Sequence, residues 1–240
     1  MKLKSLCTRA GASAALVAAA ALGSFVSSPA LAQNAPPGAL FDLQAVHPGV
    51  LSAYEQFSFS FVAGTANTTV SFAFREIPAF FAFDDASVVL NGTSTNLLAN
   101  PGFESATVGQ TTPTGWGRFI QPITVSAIGQ VSSAASPYGC PPNGPHSGTN
   151  FWCDGSVEGY DGLFQTIATT VGQTYTVSFW LGDNSGSRPV APGIDMLGYA
   201  DAGLPVGTIP VNPPVPEPET YALMLVGLGA MAFVARRRKV

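Results

Sequence analysis

The sequence has few of the residues on which most catalytic sites depend. Its 240 residues include two histidines and three cysteines, and only 10% of them are charged. No Gly-x-Ser-x-Gly stretch occurs, so the nucleophile turn of α/β-hydrolases is excluded. Asp84 and Asp85 are adjacent carboxylates, but neighbouring side chains on a strand point to opposite faces and would not flank one scissile bond. We predict that the protein is not an enzyme, and a hydrolase with another kind of site stays open.

Basic residues are almost absent from the middle of the chain. Between the two ends only Arg75, Arg118 and Arg188 are basic, against twelve acidic residues, which gives a net charge of about −9. Nucleic acids and anionic membrane surfaces are bound by patches of lysine and arginine. This part of the chain is therefore not expected to bind nucleic acid, and its charge is compatible with cations or neutral polymers.

The N-terminal residues 1–32 have the composition of a secretory signal peptide with an apolar helix. A basic start precedes the apolar, alanine-rich residues 10–26, and Ala30 and Ala32 form a small-x-small cleavage site before Gln33. We predict that the exported chain begins at Gln33.

Two cysteines remain after removal of the signal, which carries Cys7. In an oxidising compartment Cys140 and Cys153 are predicted to form a disulfide, worth about 3 kcal/mol in the chain-entropy model. The alternative is a metal site formed by these two cysteines with His146 and Asp154, although this spacing matches no zinc pattern with paired ligands.

Residues 33–210 are predicted to form one all-β domain, an antiparallel two-sheet sandwich or jelly roll. Residues 56–61 alternate strictly between polar residues and phenylalanine, and residues 69–75 repeat the pattern. Residues 63–67 have a turn composition, so we predict a hairpin with a shared phenylalanine face.

Further strands are predicted at residues 79–90 and on both sides of a turn at 171–173. The last of these strands places four apolar side chains on one face: Tyr175, Val177, Phe179 and Leu181. The opposite face carries Thr174, Thr176, Ser178 and Trp180.

Two stretches resemble carbohydrate-binding-module-like, galactose-binding-like jelly rolls. "TNLLANPGFES" (95–105), with Thr114-Gly115-Trp116 and the later "QTIATTVGQTYTVSFWLGDN", resembles the opening of such domains. "YEQFSFSFVAGTANTTVSFAFREIPAFFAFDDASVVL" resembles their closing strands. Because the closing strands come first, the resemblance implies a circularly permuted domain, with a tandem of two incomplete copies as the alternative.

The same resemblance implies two kinds of ligand site. Sugar rings would stack on aromatic side chains, with Trp116, Trp152 and Trp180 as the candidates. A structural calcium ion would lie near the first and last strands, with Asp84, Asp85 and Glu104 as candidate oxygen ligands. The other reading of the tryptophans is packing in the core or at its rim. The acidic residues could equally belong to an Asp-Asp turn and to a glutamate paired with Arg75 or a backbone N–H.

The C-terminal residues form three parts behind a proline-rich linker, residues 211–220. The linker contains the motif Val215, Pro216, Glu217 and Pro218. An apolar run, residues 221–235, is followed by a basic cluster of Arg236, Arg237, Arg238 and Lys239. Together the three parts resemble the PEP-CTERM sorting signal of Gram-negative bacteria. The resemblance implies cleavage near Pro-Glu-Pro by an exosortase-type enzyme, and delivery to the outer surface or an exopolysaccharide matrix.

The length of residues 221–240 fits transient insertion in the inner membrane. The apolar part rises about 22 Å as a helix, which is short for a bilayer, and the basic cluster is expected to stay on the cytoplasmic side. A permanent anchor is the alternative. From the sequence we predict an exported, non-catalytic protein of the cell surface or matrix that binds carbohydrate; a structural or adhesion protein without a sugar pocket is the second hypothesis.

Overall fold

The computed structural model describes residues 35–46, 51, 53–76, 80–122, 129–134, 144–156, 159–183 and 195–211. Within these ranges the strands are β1 (Phe41–Asp42), β2 (Glu55–Val62), β3 (Asn67–Arg75), β4 (Phe81–Leu90), β5 (Gly117–Ile120), β6 (Gln130–Ser133), β7 (Asn150–Asp154), β8 (Asp161–Ala168), β9 (Thr174–Asp183), β10 (Asp195–Asp201) and β11 (Ile209–Pro210). A single helical turn, α1 (Leu43–Val46), lies between β1 and β2 in the sequence. The predicted signal helix and tail helix lie outside these ranges. No helix within the ranges is long and apolar enough to cross a membrane.

The strands form two antiparallel sheets that pack face to face. The six-stranded sheet has the order β1-β10-β3-β8-β5-β11, and the five-stranded sheet has the order β2-β9-β4-β7-β6. The predicted all-β, antiparallel two-sheet architecture is confirmed. Circular permutation stays a prediction.

The predicted hairpin between the first two phenylalanine-rich strands is wrong. β2 pairs with β9 in one sheet, whereas β3 pairs with β8 and β10 in the other. The four residues between them, 63–66, cross from sheet to sheet beside a second crossing between β8 and β9. Backbone hydrogen bonds join the two crossings: Ala63 N to the Gln173 oxygen at 2.9 Å, Gly172 N to the Ala63 oxygen at 2.8 Å, and Thr169 N to the Ala66 oxygen at 2.9 Å.

Phenylalanines from both sheets meet in the main core. The ring of Phe72, on β3, lies 4.7 Å from that of Phe83 on β4 and 5.4 Å from that of Phe179 on β9, centroid to centroid. Such tilted and edge-on pairs stabilise a core beyond the burial of their area. The predicted faces of β9 are confirmed, because its four apolar side chains are buried and its polar side chains and Trp180 are partly exposed.

A β-bulge interrupts β4 where it bears the two adjacent aspartates. The ladder between β4 and β9 shifts register between Asp84 and Ser87, and Asp85 has a φ of 47°. Residues 96–101 run beside this strand: Ala86 N donates to the Pro101 oxygen at 3.2 Å, and Leu97 N donates to the Val88 oxygen at 2.9 Å. The segment after β4 therefore folds back against it.

Candidate functional site

Three carboxylates hold one loop, residues 144–150, which we name the histidine loop. Asp84 is fully buried, and its Oδ2 accepts hydrogen bonds from the backbone N–H groups of His146 at 2.9 Å and Ser147 at 3.2 Å. Its Oδ1 accepts from the Asp85 backbone N–H at 2.8 Å. The buried carboxyl group therefore positions the loop through its main chain.

Asp85 holds the side chains of the same loop. Its Oδ2 lies 2.6 Å from His146 Nδ1, and its Oδ1 accepts from the Ser147 hydroxyl at 2.9 Å. The expectation that Asp84 and Asp85 point to opposite faces is wrong, because the bulge and the left-handed backbone at Asp85 turn both carboxyl groups towards one loop.

Glu104 holds the far end of the histidine loop. Its Oε1 accepts from the backbone N–H groups of Thr149 and Asn150, each at 2.9 Å, and its Oε2 accepts from the Thr149 hydroxyl at 2.6 Å. Partial burial raises the pKa of Glu104, but these hydrogen bonds outweigh it and lower the pKa. The carboxylate is thus best accommodated in its charged form.

Calcium binding by Asp84, Asp85 and Glu104 stays a prediction. In the part of the chain that the structure describes, no group of three or more His, Cys, Asp or Glu side chains is placed to hold a metal ion. The oxygens of these three residues accept hydrogen bonds from N–H and O–H groups of the loop. Metal binding would have to replace some of those bonds.

The alternative metal site is not assembled by the described residues. Asp154 is buried between the sheets, whereas His146 lies on the surface loop and is bound to Asp85. Cys153 is buried and disulfide-bonded. Cys140 lies outside the described residues, so its pairing with Cys153 stays a prediction.

The ring of His146 stacks on Trp180. Their centroids are 3.8 Å apart and their planes differ by 15°. Tyr54 approaches His146 edge-on at 5.5 Å, and its hydroxyl donates to the Gly144 carbonyl at 3.1 Å. One face of the Trp180 ring is therefore covered, and the partly exposed indole borders the outer face of the five-stranded sheet.

The electrostatics of the histidine loop are dominated by the paired aspartates. Burial, and then the charge of Asp85, raise the pKa of Asp84 to about 7, although the backbone N–H groups of the loop oppose this shift. Burial, and then the charges of Asp84 and Asp85, raise the pKa of Tyr54. Asp84 thus changes protonation near neutral pH while it positions the loop.

The arrangement favours ligand contact over covalent chemistry. The Ser147 hydroxyl donates to Asp85 and not to His146, so these residues do not form a nucleophile and its base. The contact with Asp85 fixes the orientation of the imidazole, whose side chain remains 28% exposed. His146 can therefore offer its second ring nitrogen to a ligand beside Trp180.

The ligand-binding prediction is wrong for Trp116 and Trp152. Trp116 is 5% exposed, stacks on Phe103 at 5.5 Å, and donates its indole N–H to the Asn100 carbonyl. Trp152 is fully buried. Neither indole offers an open face to a sugar, so Trp180 remains the candidate.

Hydroxyl side chains extend from the neighbourhood of Trp180 along the outer face of the five-stranded sheet; we name Ser58, Ser60, Ser87, Thr174, Thr176 and Ser178 the hydroxyl face. Cross-strand hydrogen bonds join Ser60 to Thr176 at 3.3 Å and Ser87 to Ser178 at 2.8 Å. Sequence analysis missed this surface because it depends on β2, β9 and β4 being neighbours, which alternation within one strand does not reveal.

A second polar cluster lies inside the sandwich. Arg118 Nη2 donates to Asp161 Oδ2 at 2.8 Å, and Asp161 is hydrogen-bonded to Asp154 of the facing sheet. Asp154 also accepts from the Trp152 indole N–H at 3.0 Å. Burial raises the pKa of both carboxyl groups, and Arg118 counteracts this at Asp161, so Asp154 is the one that keeps its proton.

A groove of about 420 Å³ lies at another edge of the sandwich, between β2 and residues 39–46. Its lining includes Leu40, Val46 and Phe57 with Asp42 and Gln56. None of the predicted site residues lines this groove.

The C-terminal residues match a known family motif. Residues 214–239 match the PEP-CTERM protein-sorting motif. The predicted Val215–Pro218 motif and the basic cluster fall within this PEP-CTERM match, which begins three residues after Val211, the last described residue. The PEP-CTERM motif indicates export through the inner membrane to the cell surface or extracellular space, and processing by an exosortase-type enzyme. No curated protein and no solved structure matches the chain.

Proposed function

We propose that this is an exported, non-catalytic protein of the cell surface or its polysaccharide matrix, and that its sandwich binds neutral polysaccharide. The PEP-CTERM match at residues 214–239 carries the first half of the proposal. The second half is supported by the surface around Trp180.

The tail acts as a removable sorting signal. The basic cluster holds the apolar residues 221–235 in the inner membrane with its own charges on the cytoplasmic side. Pro216–Pro218 then lie on the opposite side, where an exosortase-type enzyme cleaves the chain nearby. The sandwich is released outward, and the tail stays behind.

The hydroxyl face and Trp180 together suit an uncharged polymer. Hydroxyl side chains can donate to and accept from sugar hydroxyls, and a partly exposed indole gives an apolar surface for a sugar ring. No member of the hydroxyl face carries a charge, and the domain around it is acidic. An anionic polymer would be repelled, so the chemistry favours a neutral one.

One observation favours the second hypothesis, a structural or adhesion protein without a sugar pocket. His146 covers one face of Trp180 at 3.8 Å, and the other two tryptophans belong to the core. If the remaining surface of Trp180 is too small for a sugar ring, the sandwich would act by self-association or protein contacts.

Deleting Val215–Val240 tests the sorting half. Without the tail the protein should leave the cell surface and appear in the periplasm or medium. The matched variant replaces the four residues of the basic cluster by glutamine and keeps the PEP motif and the apolar run. It should be held less well in the inner membrane and therefore be cleaved less. Unchanged surface attachment of the deletion variant would contradict the sorting function.

Binding of the processed protein to immobilised neutral and acidic polysaccharides tests the second half. Trp180→Ala should weaken binding to a neutral polymer about tenfold or more, and Trp180→Phe should retain part of it. Val206→Ala, at a 69% exposed residue outside the hydroxyl face, is the control and should bind normally. If the wild type binds no polysaccharide, the sandwich has the structural role instead.

A further inference from the structure

The strand β11 is the last point at which the described chain is fixed to the sandwich. It lies at the edge of the six-stranded sheet and pairs only with β5. The final hydrogen bond runs from Val211 N to the Arg118 carbonyl at 2.9 Å. The sorting motif begins at residue 214, so the fold ends almost where the processing signal starts.

β11 is weakly held in comparison with its neighbours. It has two residues, Ile209 is 49% exposed, and Pro210 has no N–H to donate to the ladder. The preceding residues 202–208 are mostly exposed and form a turn, in which Thr208 donates to the Pro205 carbonyl. Short edge elements with exposed hydrogen bonds open more readily than the core of a sheet.

The fixed position of Val211 limits how far the PEP motif can reach. Pro216 is five residues after Val211, and a fully extended chain covers at most about 3.6 Å per residue, so Pro216 can reach no more than about 18 Å from Val211. Ten residues separate Val211 from Tyr221, or about 35 Å at most. A membrane-embedded enzyme must bind residues on both sides of the scissile bond within this distance of a folded domain.

We infer that β11 detaches from β5 when the exosortase-type enzyme binds the tail, and that the β5–β11 edge is a tether that limits processing. The inference rests on the proposed function. If the chain detaches as far as Asp201, where β10 ends, ten more residues become free. They let the PEP motif extend up to about 35 Å further from the sandwich. Because β10 stays paired with β3 over its whole length, the core remains closed while the tail is presented.

A disulfide between β5 and β11 tests the tether. Ile120 and Ile209 face each other as Cα partners. Antiparallel partners are separated by about 4.5–5.5 Å, which is suitable for a disulfide. The full chain carrying Ile120→Cys and Ile209→Cys is produced in cells that contain the enzyme, and removal of the tail is followed by pulse-chase and mass spectrometry. The two single-cysteine variants are controls, each of which keeps one isoleucine and cannot form the bond.

The locked variant should be processed about tenfold more slowly than either single variant, and a reductant should restore the rate. Ten glycine and serine residues inserted after Val211 should also restore it, since they supply the reach that strand release provides. Equal processing rates for the locked and single variants would overturn this inference and leave the proposed function standing. A wild-type chain that is never cleaved would overturn the proposed function and this inference with it.

Discussion

Asp154 and Asp161 touch inside the core, yet their replacement by asparagine should have different consequences. Asp161 accepts from Arg118 at 2.8 Å, and both side chains are almost fully buried. Asp161→Asn would leave a buried guanidinium without its countercharge, which costs about 3–5 kcal/mol. Since domains are typically stable by about 5–15 kcal/mol, this substitution should remove much of the free energy of unfolding.

Burial holds Asp154 in its neutral form. Burial, and then the charge of Asp161, raise its pKa well above its usual value, although the N–H groups of Trp152 and the Ser156 backbone, which donate to it at 3.0 and 3.1 Å, oppose this shift. Asparagine is also neutral and has the shape of the protonated acid, but its NH2 group cannot accept one of these two hydrogen bonds. Asp154→Asn should therefore lower the free energy of unfolding by about 1–3 kcal/mol near pH 5, less than Asp161→Asn.

The pH dependence separates the two variants further. The unfolded chain releases the Asp154 proton near pH 3.8, whereas the folded chain keeps it at higher pH. Wild-type stability therefore falls as the pH rises towards the folded pKa, by at most about 1.4 kcal/mol per pH unit for this group. Asp154→Asn lacks this loss, so it should gain stability relative to wild type as the pH rises.

Urea unfolding of the processed protein at pH 5 and pH 8 measures both effects. Tryptophan fluorescence is a suitable signal, because Trp116 and Trp152 are buried. Asp161→Asn should shift the midpoint strongly at both pH values, whereas Asp154→Asn should shift it less at pH 5 and less again, relative to wild type, at pH 8. Equal destabilisation by the two variants at both pH values would refute the assignment of the proton to Asp154.

Two further predictions concern stability. Burial raises the pKa of Asp84 and of Asp195 to about 7, aided by Asp85 and Asp42 respectively. Both carboxyl groups bind a proton more tightly in the folded chain than in the unfolded chain. The urea concentration at the wild-type midpoint should therefore decrease as the pH rises from 4 to 7. An increase over this range contradicts the burial argument. Gly162→Ala should destabilise by about 3 kcal/mol in calorimetry, because its Cβ would overlap the Phe72 carbonyl and lie 2.7 Å from the Phe119 ring. Gly203→Ala, which meets open space, is the control.

The sequence predicted that the domain consists of strands and which side chains of β9 face the core. It did not predict which strands pair with one another. The alternation on β9 fixed which side chains enter the core, because a period of two admits only one buried face. A short stretch of small residues such as 63–66 suits a hairpin and a crossing between sheets equally well. The choice depended on the second crossing at residues 169–173, which is distant in the sequence.

The candidate site was predicted in part. Asp84, Asp85 and Glu104 all contact the histidine loop, since the chain after β4 folds back along that strand, and their predicted binding of calcium stays a prediction. Their contact with the histidine loop depends on a bulge, which a regular strand pattern cannot reveal. Trp116 and Trp152 were misassigned because an indole is equally suited to a core and to a sugar surface, and only their neighbours decide.

The sorting signal is the central claim, and the intact mass of the protein extracted from the cell surface tests it most directly. We predict a chain that begins at Gln33 and ends near Pro216–Pro218, with the apolar run and basic cluster removed. A surface protein that still ends at Val240 would contradict it and would show that the tail is a permanent anchor.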